Sequence, residues 1–294
     1  MNRRKRVQHD VYSLPTKKST VSERFEDYLT LFYGARKIGK STLASHFPDT
    51  FHLMFEIGSR ALEILSRNVR DWPAFLAYIN LIEKGEHGFK TAVIDTGTIA
   101  YDRCLRYCSK LIGVDHPGGL KDFGKTWSKI STEFEEAHSR LGAHCGLVII
   151  THETTKAVSR ILVGENEFDP DNEETEGEEV EYEMTMPLLK KQADSFYNGL
   201  VDNIFYYHYV DQKRFLLIRG TAHIVAGTRC EKNFLTKDGR PIWKIPMGDS
   251  SEEAYDNLLA AFYNEQERSY GADEIKRKPK IRRRQTHKNL KRRS

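Results

Sequence analysis

Apolar runs alternate with amphipathic stretches along most of this 294-residue chain. Tyr28 to Tyr33 is a short run rich in strand formers and bounded by glycine, which predicts a buried strand. Thr50–Phe55, Lys90–Asp95 and Cys145–Thr151 repeat the pattern. Between them the spacing changes. Thr42–Phe47 predicts a short helix stopped by Pro48, and Ser59–Arg67 predicts another. Asp71-Trp72-Pro73 carries a capping acid and a first-turn proline, and Phe75, Leu76, Ile79 and Ile82 follow at helical spacing as far as Gly85. Helices are expected over Ile99–Leu111 and Phe123–Leu141, the second with Trp127, Ile130, Phe134, Ala137 and Leu141 on one face. Val201–Val210 and Arg214–Arg219 read as strands joined by a hairpin at Asp211-Gln212, and Ala254–Tyr263 as a last helix. Strands alternating with helices predict an α/β fold with a mostly parallel sheet covered by helices. Ligands of such sheets bind at the carboxyl ends of the strands.

Charge changes this picture at three places. The chain has 46 basic and 42 acidic residues. Residues 276–294 hold eleven Lys or Arg and no acid, so the remainder has 35 basic against 42 acidic residues, a balance of −7. Residues 165–183 hold eleven Asp or Glu and no base, and Arg3-Arg4-Lys5-Arg6 forms a second basic cluster. Blocks of like charge repel themselves, so disordered charged segments attached to one folded core are expected. No run approaches the ~20 apolar residues of a membrane span, and no apolar segment follows the basic start as a signal peptide requires. The four cysteines form no CxxC pair. Reduced thiols in a cytoplasmic protein are expected, with Cys104 and Cys108 packed in the core.

The most specific chemistry is Gly34-Ala35-Arg36-Lys37-Ile38-Gly39-Lys40-Ser41-Thr42, which fits the phosphate-binding loop pattern G-x-x-x-x-G-K-[ST]. The glycines let the loop fold tightly and turn its N–H groups toward phosphates. Lys40 is placed to reach the β- and γ-phosphates of ATP, and the Ser41 hydroxyl to ligate Mg²⁺. Strand, glycine loop and helix follow in the order that an anion at a helix start requires.

Further candidates sit at strand ends. Asp95 closes an apolar strand where a carboxylate would serve the same Mg²⁺ as Ser41. The residue after it is Thr96, where many such ATPases carry the glutamate that activates water. Glu56, at the end of the preceding strand, can fill that role, with Glu153 the next candidate. His152 ends the fourth strand beside the expected phosphate site, where a polar group can sense the γ-phosphate.

Together these pieces resemble the RecA-fold ATPases, and more closely the phage RecA-like P-loop ATPases that include single-strand annealing recombinases. The resemblance rests on the P-loop, Phe55-Glu56-Ile57-Gly58, Thr91-Ala92-Val93-Ile94-Asp95-Thr96, Asp122-Phe123-Gly124-Lys125-Thr126-Trp127, Val148-Ile149-Ile150-Thr151-His152-Glu153 and Ala226-Gly227-Thr228-Arg229, in family order over about residues 28–245. It implies a RecA-like P-loop NTPase, with Glu56 the catalytic base, His152 the γ-phosphate sensor and Arg229 a nucleotide contact across a subunit interface. Two features depart from the family. The loop interior is Arg36-Lys37-Ile38 rather than small residues and proline, and the acidic insert lies where such proteins carry a DNA-binding loop.

The resulting expectation is a basic arm at 1–24, a RecA-like ATPase core at 25–250 with the insert at 165–183, a C-terminal helix at 251–270 and a basic tail at 271–294. The tail can bind a nucleic-acid backbone through charge alone, since it holds no aromatic residue for stacking. The implied function is Mg²⁺-dependent ATP hydrolysis on single-stranded DNA in recombination or annealing, as a ring or filament, in the host cytoplasm if phage-encoded. Two alternatives stand beside it. One is a non-catalytic ATP-bound adaptor that loads a replication or single-strand-binding protein. The other is a small-molecule kinase, for which the only candidate lid is acidic.

Overall fold

The computed structural model describes residues 16–118, 124–162 and 178–271. The basic cluster at the start, most of the acidic insert, Asp122-Phe123 and the basic tail lie outside them. In chain order the elements are β1 (Thr30–Gly34), α1 (Lys40–Ala44), β2 (Thr50–Met54), β3 (Ser66–Asn68), α2 (Trp72–Glu83), β4 (Thr91–Asp95), α3 (Gly97–Ile112), α4 (Lys125–Gly142), β5 (Gly146–Leu162), β6 (Glu178–Pro187), α5 (Lys191–Leu200), β7 (Asn203–Val210), β8 (Lys213–Leu217), β9 (Gly227–Thr228), β10 (Lys244–Pro246) and α6 (Ser251–Phe262). The sheet runs β10-β8-β7-β1-β5-β4-β2-β3, with β6 paired to β5 and β9 to β7. Its centre, from β7 to β3, is parallel, and β8 and β10 add an antiparallel edge. The phosphate-loop strand β1 is central. One strand, β5, separates it from β4 and the Asp95 end.

Side chains alternate across each strand, and both faces of this sheet are covered. Leu31, Tyr33 and Ile149 face a core with Trp72 and Phe75 of α2, Tyr101 and Cys104 of α3, Phe134 of α4 and Tyr197 of α5. Phe32, Val148 and Phe205 face the other core, with Leu43 of α1 and Leu258 and Phe262 of α6. That is why β1 and β4 read as unbroken apolar runs. Local signals also hold. Asp71 caps α2 by accepting from the Ala74 N–H at 2.9 Å. The β7–β8 hairpin turns at Asp211 and Gln212, with φ 46° and 65°, the left-handed pair a two-residue turn needs.

Two local expectations are corrected, and one helix went unread. Ser59–Arg67 is not a helix: Ser59–Ala61 is one 3₁₀ turn and the chain then forms β3. The free edge of β2 captures it, through His52 N–H to Leu65 O at 2.8 Å and Val69 N–H to Met54 O at 2.8 Å. Pairing outweighs local helix propensity here. The fourth strand does not stop at Thr151 but runs on to Leu162, and Glu178–Pro187, including the last six residues of the acidic insert, pairs with it antiparallel. The acids there alternate, so Glu181 and Glu183 are exposed while Tyr182 and Met184 take the other side. Helix α5 was not anticipated; it is anchored by buried Ala193 and Tyr197. Among the described residues no helix is long and apolar enough to cross a membrane.

Candidate active site

The phosphate loop is shaped by the backbone around it. Gly34 has φ 151°, and a Cβ there would lie 2.0 Å from the Tyr207 carbonyl oxygen, so no other residue fits. Lys37 and Gly39 also take positive φ, which turns the chain sharply into α1. Ile38 is 2% exposed and anchors the loop in the core beneath α1.

Lys40 is 5% exposed. Its Nζ donates to the carbonyls of Gly34 at 2.8 Å and Ala35 at 2.7 Å. The ammonium is thus satisfied by carbonyls of its own loop. Burial pushes the Lys40 ammonium down to about 8, against the upward pull of the Asp95, Glu153 and Glu56 carboxylates. Ser41 Oγ donates to Asp95 Oδ2 at 2.5 Å. Burial raises the Asp95 carboxyl, opposed by that hydrogen bond. A hydroxyl and a carboxylate at this distance are hard oxygen donors of the kind Mg²⁺ takes, so the pair fits that ion.

Glu56 is drawn to Asp95 through the backbone. The Phe55 N–H donates to Asp95 O at 2.6 Å and the Glu56 N–H to the same oxygen at 3.3 Å. Thr96 Oγ1 donates to Glu56 Oε1 at 3.2 Å. His152 Nε2 lies 3.7 Å from that oxygen, and His152 stands opposite Gly34 in the β1–β5 register. Burial and the Lys40 charge lower the His152 pKa, so the imidazole is neutral at neutral pH and its contact with Glu56 is not an ion pair. His152 Nδ1 and Glu153 Oε2 are buried with no hydrogen-bond partner.

A cleft of about 510 Å³ joins these groups. Arg36, Lys37, Gly39, Lys40, Ser41, Thr42, Glu56, Asp95 and His152 all line it. Arg229 does not. It follows β9, which pairs with the start of β7, and its guanidinium donates to Gly199 O at 2.8 Å and lies 3.7 Å from Asp202. The start of β7 is four residues below Tyr207, the partner of Gly34, or about 13 Å along the strand. No rotamer of Arg229 spans that gap within one chain.

Two contributors went unassigned in the sequence. Thr96 was noted only for not being glutamate, yet it holds Glu56. Arg214 lies 3.5 Å from where a Gly39 Cβ would stand and is fixed by the Gly248 carbonyl at 2.8 Å. It reaches the loop only through the β7–β8 hairpin, which leaves no local signature. The base of the β5–β6 hairpin is also tied to the site. Leu188 N–H donates to His152 O at 2.7 Å, and Thr98 Oγ1, one turn after Asp95, donates to Leu188 O at 2.6 Å.

The AAA domain family matches the chain over residues 26–230, from before β1 to the end of the Arg229 segment. No curated protein matches it.

Proposed function

This chain belongs to the AAA domain family of P-loop ATPases, and on that premise we propose that it is a Mg²⁺-dependent ATPase acting on single-stranded DNA. The family points to nucleotide binding and hydrolysis. The observation that carries the site assignment is one cleft holding Lys40, the Ser41–Asp95 pair and Glu56.

In this reading Lys40 exchanges the Gly34 and Ala35 carbonyls for β- and γ-phosphate oxygens. Its partners and their geometry are already those of an ammonium grasping oxygen. Ser41 and Asp95 would hold Mg²⁺, which offsets charge on the phosphates when bound. Glu56 accepts the proton of a water in line with the γ-phosphate, and Thr96 fixes the carboxylate for that step. His152, neutral and one strand from the loop, senses the γ-phosphate. Its carbonyl bond to Leu188 passes any shift to the base of the β5–β6 hairpin. Arg229 acts from a neighbouring subunit on that subunit's partner site, which calls for a ring or filament. An arginine supplied in trans stabilises charge developing on the γ-phosphate.

The DNA reading rests on the eleven positive charges at 276–294 and on the resemblance to the phage RecA-like annealing ATPases. Such a tail grips phosphates without reading sequence. The test is ATP hydrolysis with and without single-stranded DNA, together with DNA binding at several salt concentrations, for the full chain and for a chain lacking 276–294. Turnover should rise with DNA. Deletion should flatten the dependence of log K on log salt by about 3.5 if five tail charges contact phosphates, while leaving DNA-free hydrolysis unchanged. Hydrolysis indifferent to DNA would move the assignment to an ATP-bound adaptor.

A further inference from the structure

A second cavity, of about 330 Å³, adjoins the nucleotide cleft and shares Met54 and Glu56 with it. Its other wall carries Ile57, Arg70 and Arg103. Arg70 follows Val69, whose N–H is bonded to Met54 O at 2.8 Å, so the β2–β3 pairing sets its place. Arg103 lies on the second turn of α3, the helix that begins just after Asp95 and Thr96. Neither arginine is in an ion pair among the described residues. The Arg103 Nε is buried with no hydrogen-bond partner. A buried guanidinium donor without an acceptor is costly, and native structures leave few of them. The acid on the same cavity, Glu56, is held instead by Thr96 at 3.2 Å. Two arginines placed to neutralise Glu56 would pair with it, and these do not.

We propose that Arg70 and Arg103 form a receiving site for inorganic phosphate, the product leaving the cleft, an assignment that rests on hydrolysis at the adjoining site. In hydrolysis the water oxygen bonds to the γ-phosphorus and its proton passes to Glu56. The bridging P–O bond breaks with its electron pair on the β-phosphate oxygen of ADP. The free phosphate then carries negative charge beside Asp95 and the ADP phosphates, which repel it. On the far side of Glu56 stand two unpaired guanidinium groups, whose planar forks match a tetrahedral oxyanion. The phosphate moves down this gradient into the second cavity and leaves from there.

The experiment is equilibrium dialysis of radiolabelled inorganic phosphate against protein saturated with Mg²⁺-ADP. Wild type, Arg70→Gln, the Arg70→Gln/Arg103→Gln double variant and Arg103→Lys are compared. Loss of both forks should weaken phosphate binding at least about tenfold, Arg70→Gln alone should weaken it measurably, and Arg103→Lys, which keeps the charge but not the fork, should weaken it less than the double variant does. Arg70→Gln, at the exposed side, decides the matter if the double variant does not fold. Equal phosphate affinity in wild type and variants overturns the assignment, as does a wild type that binds no phosphate at about 10 mM. A short oligonucleotide that displaces the label also overturns it, because the site would then be one for phosphodiesters. ATP cleavage by the same wild-type preparation reports separately on the hydrolysis reading, so one can fail without the other.

Discussion

Polar groups flank the central strands, and those below β1 and β7 are treated differently from those above β1 and β5. At the lower end Asn203 is fully buried and donates to Thr30 Oγ1 at 3.1 Å, while Thr228 Oγ1 donates to its Oδ1 at 2.7 Å. Asp202 accepts from the Leu29 N–H at 3.1 Å, and the Arg229 N–H reaches the Asp202 carbonyl at 2.9 Å. At the upper end Lys40 is satisfied only by its own loop, and His152 and Glu153 each keep a buried atom unpartnered. A closed network locks β1, β7 and β9 together. An unfinished one, held on the same strands, is what a site needs when its last partners arrive with the substrate. The β1–β7–β9 corner holds the strands in place, and the loop end leaves polar groups unpaired.

The sharpest way to break this contrast is a pair of substitutions with mirrored outcomes. Lys40→Ala should abolish ATP binding and turnover and leave the melting temperature near wild type. Asn203→Ala should lower stability by about 1–3 kcal/mol, because the buried Thr30 hydroxyl loses its partner and the half-buried Thr228 hydroxyl loses its acceptor, with ATP affinity near wild type. Melting and fluorescent-nucleotide titration check both. A large stability loss in Lys40→Ala, or loss of ATP affinity in a folded Asn203→Ala, would erase the distinction between the ends.

Arg229 sharpens it next, being the one expected site residue found at the lower end. Arg229→Ala should bind ATP but turn it over poorly, and mixing it with Lys40→Ala should restore part of the activity in hybrid oligomers. Hybrids that stay inactive would leave Arg229 as a clamp on Gly199 and Asp202.

Acid separates the buried histidines by their roles. His52 and His138 are fully buried, and burial pushes each from 6.5 down to about 4. The unfolded chain takes up their protons as pH falls through about 6.5, whereas the folded chain does so only near 4. Their contribution is therefore full above about 6.5 and is lost on acidification toward 4, at roughly 1–2 kcal/mol per histidine by about pH 5. The melting temperature should fall between pH 7.5 and 5. A flat or rising value would contradict the burial of neutral rings.

The parts legible in the sequence are those written in consecutive residues. The phosphate loop, the apolar run that closes at Asp95 and the one that leads into His152, the Asp71 cap and the 211–212 turn each carry their cause locally. What stayed hidden depends on pairing. β3 is three residues long and exists because β2 has a free edge. The β5–β6 hairpin was masked by its charge, although Glu181, Tyr182, Glu183 and Met184 alternate. Leu29 and Asp202 lie far apart in sequence and meet only through the β1–β7 ladder. Arg214 comes to lie beside the loop for the same reason. Asp95 and Glu56 were read from strand ends and Lys40 from the glycine loop, but that Thr96 holds Glu56 depends on the β2–β4 pairing.

The most direct test of the central claim, that the upper strand ends form a hydrolytic site with Glu56 as its base, is Glu56→Gln. Single-turnover cleavage of ATP is measured beside ATP affinity. The amide keeps the size of the side chain and can still meet Thr96, but it cannot accept the water's proton. Cleavage should fall by about a hundredfold or more with ATP affinity within a few-fold of wild type. Cleavage at the wild-type rate in Glu56→Gln would contradict the account and move the base to another carboxylate, with Glu153 the first to replace.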